Sequence, residues 1–217
     1  VGLEHTAVKK SMSAAIGEPL MTAVAKKKLT PAEYLEIERA APTKSEFCNG
    51  EMFAMAGASR NHTVIKDNVC AELRSRLKDR NCRPYSAELR VRVTKTGLYT
   101  YPDVVVACGE PKFEDQVMDT LLTPNIIIEV LSDSTEKYDR GVKFRQYQQL
   151  DSLTEYVLVS QDAVSIDRFV RQPDNTWILT TFTDLNAEFS LVSVPVCIPM
   201  AEIYRDVEFD EPRVGAE

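Results

Sequence analysis

Two stretches decide the fold: Tyr101-Pro102-Asp103-Val104-Val105-Val106-Ala107-Cys108 and Asn125-Ile126-Ile127-Ile128-Glu129-Val130-Leu131-Ser132. Each is an apolar run of strand length, the pattern of a central strand covered on both faces. Each also carries one acid, Asp103 or Glu129. Burying an ionised carboxylate without a partner is costly, so such an acid needs a strand end, a cation or a metal. Two such strands side by side would bring both carboxylates to one point. That is an oxygen-rich site for a hard divalent ion such as Mg²⁺. The alternative is that each acid pairs with a buried arginine or caps a neighbouring loop.

Downstream, Ser132–Phe144 reads as a cap followed by a helix. The hydroxyls of Ser132, Ser134 and Thr135 are placed to cap it, and the polar helix is expected from roughly Tyr138 to Leu150. Asp139 and Lys143 are four apart and share one face of it. The helix starts close to the C-terminal end of the Glu129 strand, so Lys143 can reach back over the carboxylate pair. Otherwise Asp139 and Lys143 form a surface ion pair of little energetic weight. Two acids, a divalent ion and a lysine suit phosphodiester hydrolysis. The metal polarises the phosphoryl group and activates water, while the lysine orients that water or steadies the growing charge.

The remaining elements follow from local signals. Thr30-Pro31-Ala32-Glu33 is a capping box with proline at the first helical position, predicting a helix to about Ala40. Glu46–Met55 predicts a hairpin around Asn49-Gly50. Ser59 or Asn61 caps a long amphipathic helix to about Arg80, with Ile65, Val69, Leu73 and Leu77 on its inner face. Ala87, Leu89, Val91 and Val93 alternate with Glu88, Arg90 and Arg92, as in a half-buried strand. Glu155–Ser160, Val164–Val170 and Thr176–Phe182 read as strands, and a short helix is expected from Pro199. Trp177, the only tryptophan, is expected in the core. The reading is one α/β domain (α+β mixed) with a mixed central β-sheet flanked by helices, over residues 21–210.

The 217 residues are 44% hydrophobic and 27% charged, which excludes a disordered or low-complexity chain. No apolar run has membrane-spanning length, and no Gly-rich phosphate loop points to a nucleotide cofactor. The net charge of −7 argues against a protein that coats phosphates over its whole surface. The charge is uneven, however: Lys66–Lys95 holds nine cations and four anions, and Asp151–Glu217 holds four cations and thirteen anions. Five cysteines, at 48, 70, 82, 108 and 197, contain no CxxC pair. They read as reduced, mostly buried thiols of a cytoplasmic protein. Residues 1–20 differ in character from the rest and read as a leader, with Met21 resembling a natural start.

The ordered set of motifs resembles the PD-(D/E)xK nuclease superfamily and, within it, the Uma2 family of restriction-endonuclease-like proteins. The matching stretches are Leu29–Leu35, Lys44–Glu51, Ala56–His62, Tyr101–Val106, Glu129–Thr135, Tyr138–Phe144 and Glu155–Ser160. The resemblance covers about Met21 to Asp206. It implies a restriction-endonuclease-like core and a Mg²⁺- or Mn²⁺-dependent endonuclease acting on DNA, as a homodimer addressing two strands. It implies that Asp103 and Glu129 hold the metal with the backbone carbonyl of Val130. The superfamily's lysine follows its second acid by two positions, where this chain has Leu131. The Uma2 pattern instead points to Lys143 on the following helix. Glu46 matches a further acidic position, or else forms an ion pair within its hairpin.

Other candidates are less constrained. His62, near a helix start, could touch a phosphate or the metal shell, or be a capped structural residue. Arg74, Arg76, Lys78 and Arg80 could line a DNA groove, extended by Arg90 and Arg92, or be a solvated helix face. A second class of function also fits, a non-catalytic nuclease-like module binding nucleic acid or protein. A third is another metal-dependent phosphoesterase.

Overall fold

The structure is a computed structural model and describes residues 28–209. The expected leader at 1–20 lies outside them. In chain order, α1 (Pro31–Ala40) precedes β1 (Ser45–Cys48), β2 (Glu51–Ala54), α2 (Arg60–Arg76), β3 (Cys82–Ser86) and β4 (Arg90–Val93). β5 (Leu98–Thr100), β6 (Val104–Cys108), β7 (Thr120–Leu121) and β8 (Ile126–Leu131) follow. A helical stretch in three pieces comes next: α3 (Glu136–Tyr138), a π-helical turn (Asp139–Lys143) and α4 (Phe144–Tyr147). The chain continues through β9 (Glu155–Ser160), β10 (Ile166–Arg171), β11 (Trp177–Phe182), β12 (Glu188–Leu191), β13 (Val196–Pro199) and α5 (Met200–Ile203).

The central sheet has six strands in the order β11-β10-β9-β8-β6-β3 and is mixed, because β8 and β9 run parallel while its other pairs are antiparallel. A second sheet, β2-β1-β5-β4-β7, and the β12-β13 hairpin complete a mixed α+β architecture. The side chains of the central strands sort by the two-residue period. Val104, Val106, Ile126, Ile128 and Val130 face a core shared with Ile65, Val69 and Leu73 of α2. Val105, Ala107, Ile127 and Leu131 face the opposite core with Tyr147, Val91 and Leu98. Continuing that alternation, Asp103 and Glu129 both belong to the second face. A third cluster, Tyr34, Leu35, Phe47 and Tyr99, lies under α1.

Local chemistry explains the ends of the elements. Thr30 and Glu33 form the expected reciprocal capping box of α1. The β1–β2 hairpin turns through Asn49 (φ 52°) and Gly50 (φ 85°), the two positive φ values of a type I′ turn. Ser59 caps α2 by accepting from the His62 amide, and α2 ends at Arg76, four residues short of the expected end. At the Ser132 region the hydroxyls bond to one another and none caps α3. The first amides are satisfied instead by the Ser132 carbonyl.

Three further expectations need correction. Leu89 lies outside β4, and both faces of that strand are covered, so Arg90 is buried. Trp177 is half-buried and lies against the core aromatics at its edge. Cys82 and Cys108, opposed in the β3–β6 register, form a disulfide, while Cys48, Cys70 and Cys197 are free thiols. Strand β3 is hard to foresee because Pro84 sits in its middle. Proline removes a ladder donor and is tolerated at a sheet edge, which β3 forms. With a disulfide present, the cysteine set no longer argues for a reducing compartment. No helix among the described residues is long and apolar enough to cross a membrane.

Candidate active site

The antiparallel β6–β8 register pairs Val104 with Ile128, and one step further places Asp103 opposite Glu129. Directly opposed residues have Cβ atoms about 5 Å apart, so the two carboxylates share one sheet face from neighbouring strands. The Asp103 amide lies 3.3 Å from Glu129 Oε2, and Asp103 Oδ2 accepts from the Val130 amide at 2.8 Å. Asp103, at the start of β6, keeps some contact with solvent, whereas Glu129 is 3% exposed.

The helical stretch after β8 crosses this face. Its π-helical turn carries Asp139 and Lys143, both buried, with Tyr147 four residues on. π-turns inside helices often sit at functional sites. Lys143 Nζ lies 2.9 Å from Glu129 Oε1, 3.3 Å from Asp139 Oδ1 and 3.4 Å from Glu46 Oε1. Glu46 enters from β1 and also accepts from Thr100 and from Tyr138 at 3.2 Å. Tyr147 donates to Glu129 Oε1 at 2.8 Å, and Tyr156 donates to the Asp139 carbonyl. Leu131 is packed in the core on the Glu129 face, so the ammonium here comes from the helix and not from the strand.

One buried cation therefore serves three carboxylates. Burial drives the Glu129 carboxyl up to about 8, with Asp139 and Asp103 adding to the rise and Lys143 opposing it. Burial raises Asp139 as well. Burial alone would lower the Lys143 ammonium, but Glu129, Glu46 and Asp139 outweigh it and hold the lysine charged. The cluster is short of positive charge.

That shortage is the test of whether these residues suit a divalent ion. Asp103 and Glu129 offer hard oxygens on one face, and Mg²⁺ commonly binds through one or two carboxylates while keeping its waters. A raised Glu129 is the state an added cation would reverse. Among the described residues no group of three or more His, Cys, Asp or Glu side chains forms a metal cage. The donor set is an open pair, and an open pair fits.

His62, in the first turn of α2, places Nε2 3.1 Å from Asp103 Oδ2, and its buried Nδ1 has no partner. Arg74 and Arg76 lie near the far end of α2, and Arg76 is paired with Glu72. Arg90 and Arg92 are both engaged within the protein. Arg90 donates to Thr120 and Tyr101 with its Nη2 2.8 Å from Asp119, and Arg92 pairs with Glu114 beside Tyr99. Both bind the second sheet to the segment before β8. Asp119→Ala is therefore expected to cost about 2 kcal/mol, because it strips a buried guanidinium of its counter-charge. Arg39, then Arg90, hold Asp119 well below the usual carboxylate range. Its contribution is thus present above about pH 4 and lost as pH falls further. Urea unfolding of wild type and variant at two pH values checks both points.

Sequence reasoning missed Tyr147, Tyr138 and Thr100 as partners of the acids. A signal existed for Tyr147: Asp139, Lys143 and Tyr147 recur every four residues on one helical face.

A nuclease-type core with paired strand carboxylates and a helical lysine defines the class. The profile of the Uma2 family, described as "Putative restriction endonuclease", matches residues 31–201. The chain belongs to that family. Similar proteins include two from Synechocystis sp. (strain ATCC 27184 / PCC 6803 / Kazusa), both called uncharacterized. Protein sll1609 is 36% identical over 81% of this chain and all of its own length, and slr1290 is 35% identical over 84% and 94%. Among solved structures, one described as "a putative nuclease belonging to DUF820" from Anabaena variabilis superposes with a TM-score of 0.65. It is 16% identical and covers 80% of this chain and 96% of that one, a likeness of fold.

Proposed function

We propose that this protein is a Mg²⁺- or Mn²⁺-dependent endonuclease that hydrolyses DNA phosphodiester bonds. The observation that carries the reading is the buried cluster of Asp103, Glu129 and Lys143, short of positive charge and open at Asp103. Asp103 and Glu129 would hold the ion, and the Val130 carbonyl leaves its strand on the same side as the amide bonded to Asp103. The ion, when bound, supplies polarisation of the scissile phosphoryl group and a more acidic water.

The chain's own residues set the geometry and charge. Lys143 stays protonated and presents a fixed cation to charge growing on the phosphate. Glu46 and Asp139 hold its ammonium in place. Tyr147 fixes one oxygen of Glu129, leaving the other toward Asp103. His62 fixes the Asp103 carboxylate from the solvent side. A homodimer would give one such site per strand. The non-catalytic alternative is weakened by the cost of the cluster, since a binding module has no reason to gather three acids around one buried lysine.

Nicking of supercoiled plasmid is the test. Wild type should nick with Mg²⁺ or Mn²⁺ and stop in chelator, and an Asp103→Asn preparation of equal purity identifies any contaminant. Equal nicking by both proteins, or by wild type in chelator, would overturn the assignment.

A further inference from the structure

We infer that a groove between the end of α2 and the edge strand β3 is a second, separate DNA contact that grips the phosphate backbone away from the catalytic cluster. This rests on the DNA reading above. The groove has a volume of about 450 Å³ and is walled by Arg74, Lys78, Arg80 and Arg83, with Tyr85 and Pro84 beside them. All four cations are exposed, and none makes an ion pair or side-chain hydrogen bond with another described residue. Elsewhere most exposed arginines pair with a carboxylate, namely Arg39, Arg60, Arg76, Arg140 and Arg205, and exposed cations without such a pair, among them Lys112, Lys137 and Arg145, do not line this groove. Asp79, between Lys78 and Arg80 in sequence, pairs with neither.

Four like charges converging on one concavity repel each other unless an anion joins them. The fork of an arginine suits phosphate oxygens, and three of the four are arginines. A single small anion would need fewer donors and a closed pocket, whereas an open groove suits a continuous backbone. The groove is also distinct from the catalytic cluster. His62 and Arg74 are twelve residues apart on α2, about 18 Å along the axis. Asp103, just before β6, and Ala107, near its far end, are about 13 Å apart along the strand. With one phosphate per about 3.4 Å of each strand, that separation is on the order of five base pairs from the cleavage point. Arg76, already paired with Glu72, does not belong to the groove.

The test is the salt dependence of binding to a labelled duplex of about 30 base pairs. Wild type is compared with Arg74→Ala/Lys78→Ala/Arg80→Ala/Arg83→Ala and with a charge-matched control outside the groove, Arg76→Ala/Lys95→Ala/Lys112→Ala/Arg205→Ala. Each phosphate contact contributes about 0.9 to the slope of log K against log salt, so the fourfold variant should lose about 3 to 4 from it. Its affinity should fall at least about tenfold at low salt, with the control near wild type. All four side chains are exposed, and matching thermal melts will confirm that the variant is folded. If wild type binds and the fourfold variant has the same slope, the groove is overturned and the nuclease reading stands. If wild type binds no duplex at low salt yet nicks plasmid, the groove is again overturned. If it neither binds nor nicks, both fall.

Discussion

Lys143→Ala is expected to lower stability by about 3 kcal/mol at about pH 8 and to reduce plasmid nicking by about two to three orders of magnitude. The two effects have one origin. Lys143 is 6% exposed and is the cation nearest to Glu129, Asp139 and Glu46. Removing one member of a buried ionic cluster leaves the others uncompensated, which costs far more than the cluster gains when complete. The deficit should depend on pH in a definite direction. Glu129 and Asp139 already lie above their ordinary values because of burial, and without the ammonium they rise further. Protonating them relieves the repulsion, so the variant should approach wild type as pH falls toward about 4. Lys143→Met keeps most of the side-chain volume and separates charge from packing. It should show the same pH-dependent deficit, whereas a loss caused by packing would appear in the alanine variant alone. Urea unfolding at two pH values, with nicking assays beside it, reads all of this. A Lys143→Met protein as stable as wild type at about pH 8, or nicking within tenfold of it, would remove Lys143 from the site.

Much of this geometry is visible in the sequence, and what is hidden has physical causes. An acid in an apolar strand stands out because burying it costs energy without structural return, so Asp103 and Glu129 can be singled out without coordinates. The i,i+4 spacing of Asp139 and Lys143 is equally plain. What spacing cannot reveal is the π-turn that carries them, which depends on packing against β9 and β10. Arg90 and Arg92 mislead because alternation is read as solvent on one face. Here a second sheet and the Asp119 segment cover that face, and tertiary context overrides the pattern. Strand β3 hides behind Pro84, and its disulfide to Cys108 hides with it, since 26 residues separate the two cysteines. The two-residue β7 and the β12–β13 hairpin are too short or too irregular to show a period. The sequence cations of α2 and its flank look like a solvated face, and only the fold separates paired Arg76 from unpaired Arg74, Lys78, Arg80 and Arg83.

Glu129→Gln is expected to make the protein more stable at about pH 8.5 and to abolish divalent-metal binding and cleavage. The direction follows from proton linkage. Burial holds the Glu129 carboxyl at about 8, against about 4.3 for an unfolded glutamate. Between those values the native state keeps a proton that the unfolded chain releases, so the stability this group contributes is full below about pH 4.3 and lost as pH rises through 8. Glutamine mimics the protonated acid at every pH. The variant and wild type should therefore converge in acid and separate in alkali, with the variant the more stable at about pH 8.5. Lys143 keeps Glu46 and Asp139 as partners, so the substitution strands no charge. Calorimetric titration with Mn²⁺ should give binding heat for wild type and none for the variant. Unchanged Mn²⁺ affinity, or a variant less stable than wild type at alkaline pH, would sink the assignment. A residue whose removal stabilises the fold is held there by function and not by packing, because selection tolerates such a cost where activity requires it. The same substitution thus asks two independent questions of one carboxylate, and only a metal-holding Glu129 answers both in the expected sense.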